Sequence, residues 1–220
     1  MIVPVHLDDW LLVADKPPGL LAVAGKGPGG EDCLHARLRR QWPDALVVHR
    51  LDMATSGLMV FARGIDAQRI LARAFESREV GKRYAAVVAG KPASPSPYAD
   101  GWSEIDLPLA ADWPARPRQK VDAAHGRASL TRWRAIGDAP GPWGAGTLLE
   151  LEPVTGRSHQ LRVHLAAIGH PIVGDALYAP EPLARAAPRL LLHAERLDLA
   201  HPADGRRMAW RSTAPFRDGG

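Results

Sequence analysis

The sequence predicts an α+β fold. Candidate strands and helices are mixed without a regular βαβ alternation, which argues against a doubly wound parallel sheet. The chain has 220 residues, and at roughly 150 residues per domain one large domain is favoured over two. Its 46% hydrophobic and 24% charged content is that of an ordinary globular protein able to bury a core.

The elements follow in order. Residues 10–14 form a buried strand that the turn Lys16-Pro17-Pro18-Gly19 stops. Residues 25–30 are a glycine-rich loop without phosphate-loop spacing. A short basic helix is predicted at 34–42, and strands at 45–48 and 58–62 flank a polar link, 49–57. Asp66 is the predicted N-cap of a helix with Ile70, Leu71, Ala74 and Phe75 on one face and Arg69, Arg73, Glu76 and Arg78 on the other. A strand at 84–89 leads into a Pro/Ser/Ala-rich stretch, 91–101, expected to be an exposed loop. Residues 130–134 and 147–152 form a strand pair. A helix over 158–168, capped by Ser158 and stopped by Gly169, follows. Two short strands, 190–194 and 196–199, complete the pattern.

Composition excludes several classes. The single Cys33 allows no internal disulfide and no zinc-binding cysteine pair, and it points to a reducing, cytoplasmic setting. The first ten residues lack the pattern of a secretory signal, and no run approaches the roughly 18 apolar residues of a membrane span. Charge is informative through its distribution. Residues 1–110 carry 13 basic and 13 acidic side chains, and residues 111–220 carry 15 and 11. Within 113–134, Arg116, Arg118, Lys120, Arg127, Arg132 and Arg134 face Asp122 alone, a local +5 that suggests a polyanionic partner.

Three groups of residues can carry chemistry. The link His49-Arg50-Leu51-Asp52-Met53-Ala54-Thr55-Ser56-Gly57 places one carboxylate on a loop between apolar strands, where its geometry would be fixed. Asp52 could equally cap a turn through Thr55 and Ser56. In Thr155-Gly156-Arg157-Ser158-His159-Gln160-Leu161-Arg162-Val163-His164-Leu165, residues 161, 165 and 168 form a core face, and His159 and Arg162 share a more polar one. The N–H groups at the start of that helix suit a phosphate. His159 and His164 lie about 140° apart on a helix and do not match a zinc motif, so no metal is expected. Finally, Tyr84 opens a strand. There it is either a β-favouring residue or a hydroxyl for proton transfer.

Together these motifs resemble the RluA family of RNA pseudouridine synthases. The resemblance rests on His49–Gly57, Lys82-Arg83-Tyr84, Thr155–Leu165, Gly169-His-Pro-Ile-Val-Gly-Asp175, Leu190-Leu-Leu-His-Ala194 and Lys16-Pro-Pro-Gly19, in family order over nearly the whole chain. It implies the pseudouridine synthase fold, with a mixed, mainly antiparallel central sheet flanked by helices and loops. Residues 1–220 would be a single catalytic domain of the short subtype, supported by Ile105–Leu109 and Asp112–Val121, without an S4-type RNA-binding module. Cys33 departs from the family, which commonly has Ser there, and Ala179 follows Tyr178 where Gly is usual.

The resemblance also implies roles. Asp52 is the essential carboxylate, Arg162 the cation that keeps it ionised, and Tyr84 the group that stacks on the base and assists loss of the C5 proton. Arg50 fills the space left by a flipped uridine, or else partners Asp52. Arg116, Arg118 and Lys120, with Arg157 and His159, hold the RNA. The partners are rRNA and tRNA, no cofactor is needed for an isomerisation, and a monomer is expected. The expected targets are a tRNA anticodon stem-loop and a 23S rRNA hairpin, and the alternative within the family is a synthase acting on a different rRNA or tRNA uridine. Two further alternatives lie outside this reading. One is a catalytically silent RNA-binding module. The other is a nucleosidase or glycosidase, for which the motif lacks the usual second carboxylate.

Overall fold

The computed structural model describes residues 2–25, 27, 30–93 and 101–217. In chain order the elements begin with β1 (His6–Leu7), β2 (Leu11–Lys16), α1 (Leu34–Arg39), β3 (Ala45–Val47), β4 (Ser56–Arg63) and α2 (Ile65–Glu76). They continue with β5 (Gly81–Ala89), β6 (Ser103–Asp106), β7 (Leu109–Ala111), β8 (Gln119–Val121), β9 (Leu130–Asp138) and β10 (Gly146–Pro153). The last are α3 (Gln160–Ala167), α4 (Glu181–Arg185), β11 (Leu192–Ala200) and β12 (Arg207–Arg211). This is a mixed α+β fold of two compact units. One contains Met1–Lys82 and His193–Ala214, the other Arg83–Leu192 and Pro215–Gly220.

In the first unit β2 runs antiparallel to β4 from Leu11↔Ala62 to Lys16↔Gly57. On its other side β4 meets β11 in parallel, His193 opposite Ser56 and Ala194 opposite Gly57. Strands β1, β3 and β12 add antiparallel to β2, β4 and β11 respectively. Because β4 is an interior strand, its residues from Ser56 to Ala62 are all buried, which explains a continuous apolar run in place of alternation. Helix α2 lays Ala67 and Leu71, then Ala74 and Phe75, against Leu11, Val13, Leu58, Val60, Leu197 and Leu199.

Four expectations change here. Ile70 is off the core face of α2, since the 3.6-residue stripe runs through 67, 71, 74 and 75, and it is 43% exposed. The N-cap of α2 is Gly64 at φ 81°, so Asp66 sits in the first turn, where its charge suits the helix dipole. The two strands predicted at 190–194 and 196–199 are one strand, β11. Helix α1 also ends earlier than 42, because the amides of Gln41 and Trp42 fold back onto the Leu38 carbonyl. The family departure at Cys33 has a structural reading: its Sγ accepts the Ala36 amide as the N-cap of α1.

Gly57 is the residue that this packing demands. Its φ is +111°, and a Cβ built there would stand 2.3 Å from the Ala194 carbonyl oxygen and 2.5 Å from its nitrogen. Both contacts are backbone in a paired strand, so neither can yield cheaply. Gly57→Ala should cost about 2–4 kcal/mol of stability, from strain plus overpacking. A thermal melt checks this, and an unchanged midpoint would contradict it.

In the second unit the sheet order is β5-β10-β9-β6, antiparallel throughout, with Tyr84 opposite Leu151 and a register irregularity at Leu148/Leu149. Strands β7 and β8 form a separate two-stranded ribbon. Helix α3 packs against β8, β9 and β10. It begins at Gln160, not at Ser158. The N-cap is His159, in the left-handed region at φ 54° with no side-chain cap bond. Gly169, at φ +83°, follows the helix as expected. Residues 94–100 are outside the described residues, and with them most of the loop expected at 91–101.

Candidate active site

The first unit carries Asp52 and Arg50 on one loop. Leu51 anchors the loop in the core, Asp52 is half-buried, Met53 is exposed, and Thr55 and Ser56 are buried again. The Thr55 amide donates to the backbone carbonyl of Asp52, so the turn closes without calling on the carboxylate for that bond. Beyond the turn, Ser56 Oγ lies 2.7 Å from His193 Nδ1, which ties the start of β4 to β11.

The other wall of this loop is held by Lys16. It is fully buried, and its ammonium donates to the carbonyls of Pro17 (2.9 Å), Leu20 (2.8 Å) and Met53 (3.0 Å). The Gly19 amide donates to the same Met53 carbonyl at 2.9 Å. A buried charge is tolerated only when its donors are satisfied, and here that satisfaction fixes the residue next to Asp52. A cavity of about 420 Å³ opens beside it, lined by Pro17, Pro18, Leu20, Met53 and the Asp32–Arg37 ion pair.

His49 accepts the Val60 amide through Nε2 and stacks on Phe75 at 4.5 Å between centroids. Burial, and then the charge of Lys82, push its pKa down to about 3, so the ring is neutral at physiological pH. Its role is to hold the loop's start against β4. Arg50, one residue on, is exposed and makes no ion pair among the described residues.

The second unit carries the remaining candidates. Tyr84 is half-buried on β5. Arg162 is 4% exposed and grips Asp175, itself 0% exposed, through two parallel bonds: Nε to Oδ2 at 2.8 Å and Nη2 to Oδ1 at 2.7 Å. Asp175 Oδ1 also accepts the amides of Leu177 and Tyr178. The fork of Arg162 is therefore fixed in the plane of a carboxylate that is itself fixed.

The helix bearing Arg162 is stapled by Gln160. Its Nε2 donates to the Leu130 carbonyl and Thr131 Oγ1, and its Oε1 accepts Thr155 Oγ1 and the Arg157 amide. All four hydrogen-bonding positions of the amide are filled. His164 is a buried structural histidine: Nε2 donates to the Leu107 carbonyl, Nδ1 accepts from Thr131, and burial holds its pKa down.

His159 and Tyr178 connect this helix to the basic ribbon. The Gln119 amide donates to Tyr178 Oη at 2.8 Å, and Oη lies 2.6 Å from His159 Nδ1. The guanidinium groups of Arg118 and Arg162 lie 5.5 and 5.1 Å from the centroid of the Tyr178 ring. The basic stretch itself is less uniform than its +5 suggests. Arg132 pairs with Glu104 and Glu152, and Arg134 with Glu150, across neighbouring strands. Lys120 stands 3.8 Å from Asp122, and Arg157 donates to the Ala128 carbonyl. The guanidinium of Arg116 lies over the Trp113 ring at 3.2 Å and that of Arg118 over the Tyr178 ring at 5.5 Å.

No group of His, Cys, Asp and Glu able to hold a metal ion occurs among the described residues, and no helix there is long and apolar enough to cross a membrane.

The fold and these motifs define an RNA-modifying isomerase. Residues 10–167 match the model of the RNA pseudouridylate synthase family, and the chain belongs to that family. It is 47% identical over 216 residues to the dual-specificity RNA pseudouridine synthase RluA of Escherichia coli K12, covering 98% of this chain and 94% of that protein. It is 40% identical over 212 residues to the protein of the same name from Haemophilus influenzae, covering 96% and 93%. Among solved structures, human RNA pseudouridylate synthase domain containing 1 superposes with a TM-score of 0.80 at 26% identity, over 98% of this chain and 84% of that one. The reaction is therefore the isomerisation of uridine to pseudouridine in RNA.

Residue-level reading missed the supports. Lys16 and Asp175 both fall in the motifs that carry the resemblance but had no role there, although a lysine ending an apolar strand is a candidate for burial with a partner. Gln160 and Tyr178 carried no signal of their own, since neither charge nor periodicity marks them.

Proposed function

We propose that this chain converts uridine to pseudouridine in two folded RNAs, a tRNA anticodon stem-loop and a 23S rRNA hairpin, with catalysis and RNA binding both drawn from residues 1–220. It acts as a monomer in the cytoplasm. The observation that carries the reading is the pinned loop: a carboxylate, Asp52, immediately before a residue whose carbonyl takes two donors, Lys16 Nζ and the Gly19 amide.

In this reading Asp52 opens the bond between C1′ and N1, by attack on C1′ or by taking the 2′ proton. The base turns and C5 bonds to C1′, which expels the Asp52 carboxylate in the first route and returns the proton to C2′ in the second; the C5 proton then leaves and N1 ends protonated. Arg162 is the fixed cation that keeps Asp52 ionised, and Tyr84 stacks on the turning base and assists loss of the C5 proton. A paired or stacked uridine is out of reach, so it is flipped out at a cost of a few kcal/mol. Arg50 supplies the wedge: an exposed planar guanidinium can stack and hydrogen-bond in the vacated space.

Arg116, Arg118, Lys120, Arg157 and His159 hold the RNA backbone and set register. Neutralising Arg116 and Arg118 together should reduce the slope of log affinity against log salt by about 1.4–1.8, the range for two phosphate contacts on single- or double-stranded nucleic acid. An unchanged slope would move the RNA track elsewhere.

The test of the whole is tritium release from each transcript labelled at C5 of uridine, followed by mapping the pseudouridines formed. Release from both RNAs is expected. Release from only one, or from a different RNA, would overturn the dual assignment, and free uracil would indicate a nucleosidase.

A further inference from the structure

We propose that Trp113 is a stacking shelf for an unpaired base of the RNA substrate, held in place from behind by Arg116. This rests on the reading of the β7–β8 ribbon as an RNA-binding element, and it adds to phosphate contact a contact with a base.

Trp113 is 68% exposed, and no other aromatic among the described residues is as exposed. Its position is nonetheless built. The segment joining β7 to β8 closes on itself through Ala115 N–H to Asp112 O, Arg118 N–H to Ala115 O and Asp112 N–H to Arg118 O. At its base the Gln119 amide is tied to Tyr178. The tip that carries the indole is therefore held by its own bonds.

The guanidinium of Arg116 lies over the indole, 3.2 Å from the ring centroid. A planar cation on one face orients the ring and restricts its rotation. With that face covered, exposure of two thirds leaves the opposite face to solvent. A single exposed apolar side chain is ordinary on a protein surface; what marks this one is the closed loop that holds it and the cation fixed on its ring.

The surroundings select the partner. Arg116, Arg118 and Lys120 follow the indole on the same short ribbon, and Arg127 is bridged to β7 at Leu109. A polyanion that also carries flat rings fits both features, and single-stranded RNA is that ligand: phosphates meet the cations, and a base meets the indole. Stacking of this kind tolerates any base, since every base has a π-face. The shelf would hold a loop nucleotide open without reading its identity, keeping the target loop unpaired while the uridine is withdrawn.

The test is affinity for an anticodon stem-loop transcript across a salt series. Trp113→Ala should weaken binding about tenfold, within the range for one base stacked on an aromatic side chain, with the salt slope unchanged. Trp113→Phe should recover most of that loss, whereas Trp113→Leu should not. With 2-aminopurine placed in turn at each unpaired position, wild type should quench one position, and Trp113→Ala should abolish that quenching. Wild-type affinity for Trp113→Leu, or quenching that survives Trp113→Ala, would overturn the shelf. If Arg116 and Arg118 variants still flatten the salt slope in that case, the ribbon remains an RNA track without a stacked base. If they too change nothing, the underlying reading of the ribbon fails as well.

Discussion

Replacing Asp52 with Asn is expected to abolish pseudouridine formation, by at least about 10⁴-fold, while RNA affinity stays within a few-fold of wild type. The asymmetry follows from what the substitution changes. Asn has nearly the shape of Asp, so the turn closed by Thr55 N–H on the Asp52 carbonyl is untouched, as is the Lys16 bond to Met53. What disappears is an anionic oxygen able to attack carbon or accept a proton. Both routes to breaking C1′–N1 need it, and losing a nucleophile or base of this kind removes most of the rate. A 10⁴-fold loss corresponds to about 5.4 kcal/mol of transition-state stabilisation. Binding is governed by cations elsewhere, and removing a negative charge beside a polyanion cannot weaken it through electrostatics. Tritium release under single-turnover conditions measures the chemistry, and filter binding measures the affinity. Turnover near wild type would remove Asp52 from its role. A parallel collapse of binding would show that the substitution damaged the loop rather than the chemistry.

How much of this was legible in sequence depended on the range of the interactions. The strands carried local signals: β4 reads as a continuous apolar run because it is covered on both faces, and the 130s–150s pair appears as two runs around a Pro/Gly link. Element ends were harder, since they are decided by geometry that sequence patterns imitate. Asp66 and Ser158 are good cap residues by type, yet Gly64 and His159 cap those helices, because each adopts a positive φ that redirects the chain one or two residues away. The charge of the 113–134 stretch was overread for a related reason. Counting along the chain cannot see that Arg132 and Arg134 are answered by glutamates on neighbouring strands. The residues proposed to bear chemistry were named through their motifs, because a motif is read along a continuous stretch of chain. Their supports were not. Asp175 is 13 residues from Arg162, and Met53 is 37 from Lys16, and only folding makes those pairs.

The second large effect tests one of those supports. Asp175→Asn is expected to destabilise the protein by about 3–5 kcal/mol, because it takes the charge from the fully buried carboxylate that grips the nearly buried Arg162 through two parallel bonds. For a chain of this size that is a fall in melting temperature of roughly 6–20 °C. Lost activity in such a variant would be ambiguous alone, since an unfolded enzyme is inactive for trivial reasons. A double substitution separates the two. Replacing both, Arg162→Met with Asp175→Asn, removes the two buried charges together while the Asn Oδ1 can still accept the Leu177 and Tyr178 amides, and losing both members of a buried pair costs less than losing one. The double variant should therefore regain most of the lost melting temperature. It should not regain turnover, because the cation proposed to keep Asp52 ionised is gone. RNA affinity should stay close to wild type, which places the defect in the chemical step. If the double variant recovered activity along with stability, Arg162 would be a packing residue, and the cation beside Asp52 would have to be sought elsewhere. If Asp175→Asn left both stability and turnover unchanged, the bidentate pair would not be what holds the guanidinium.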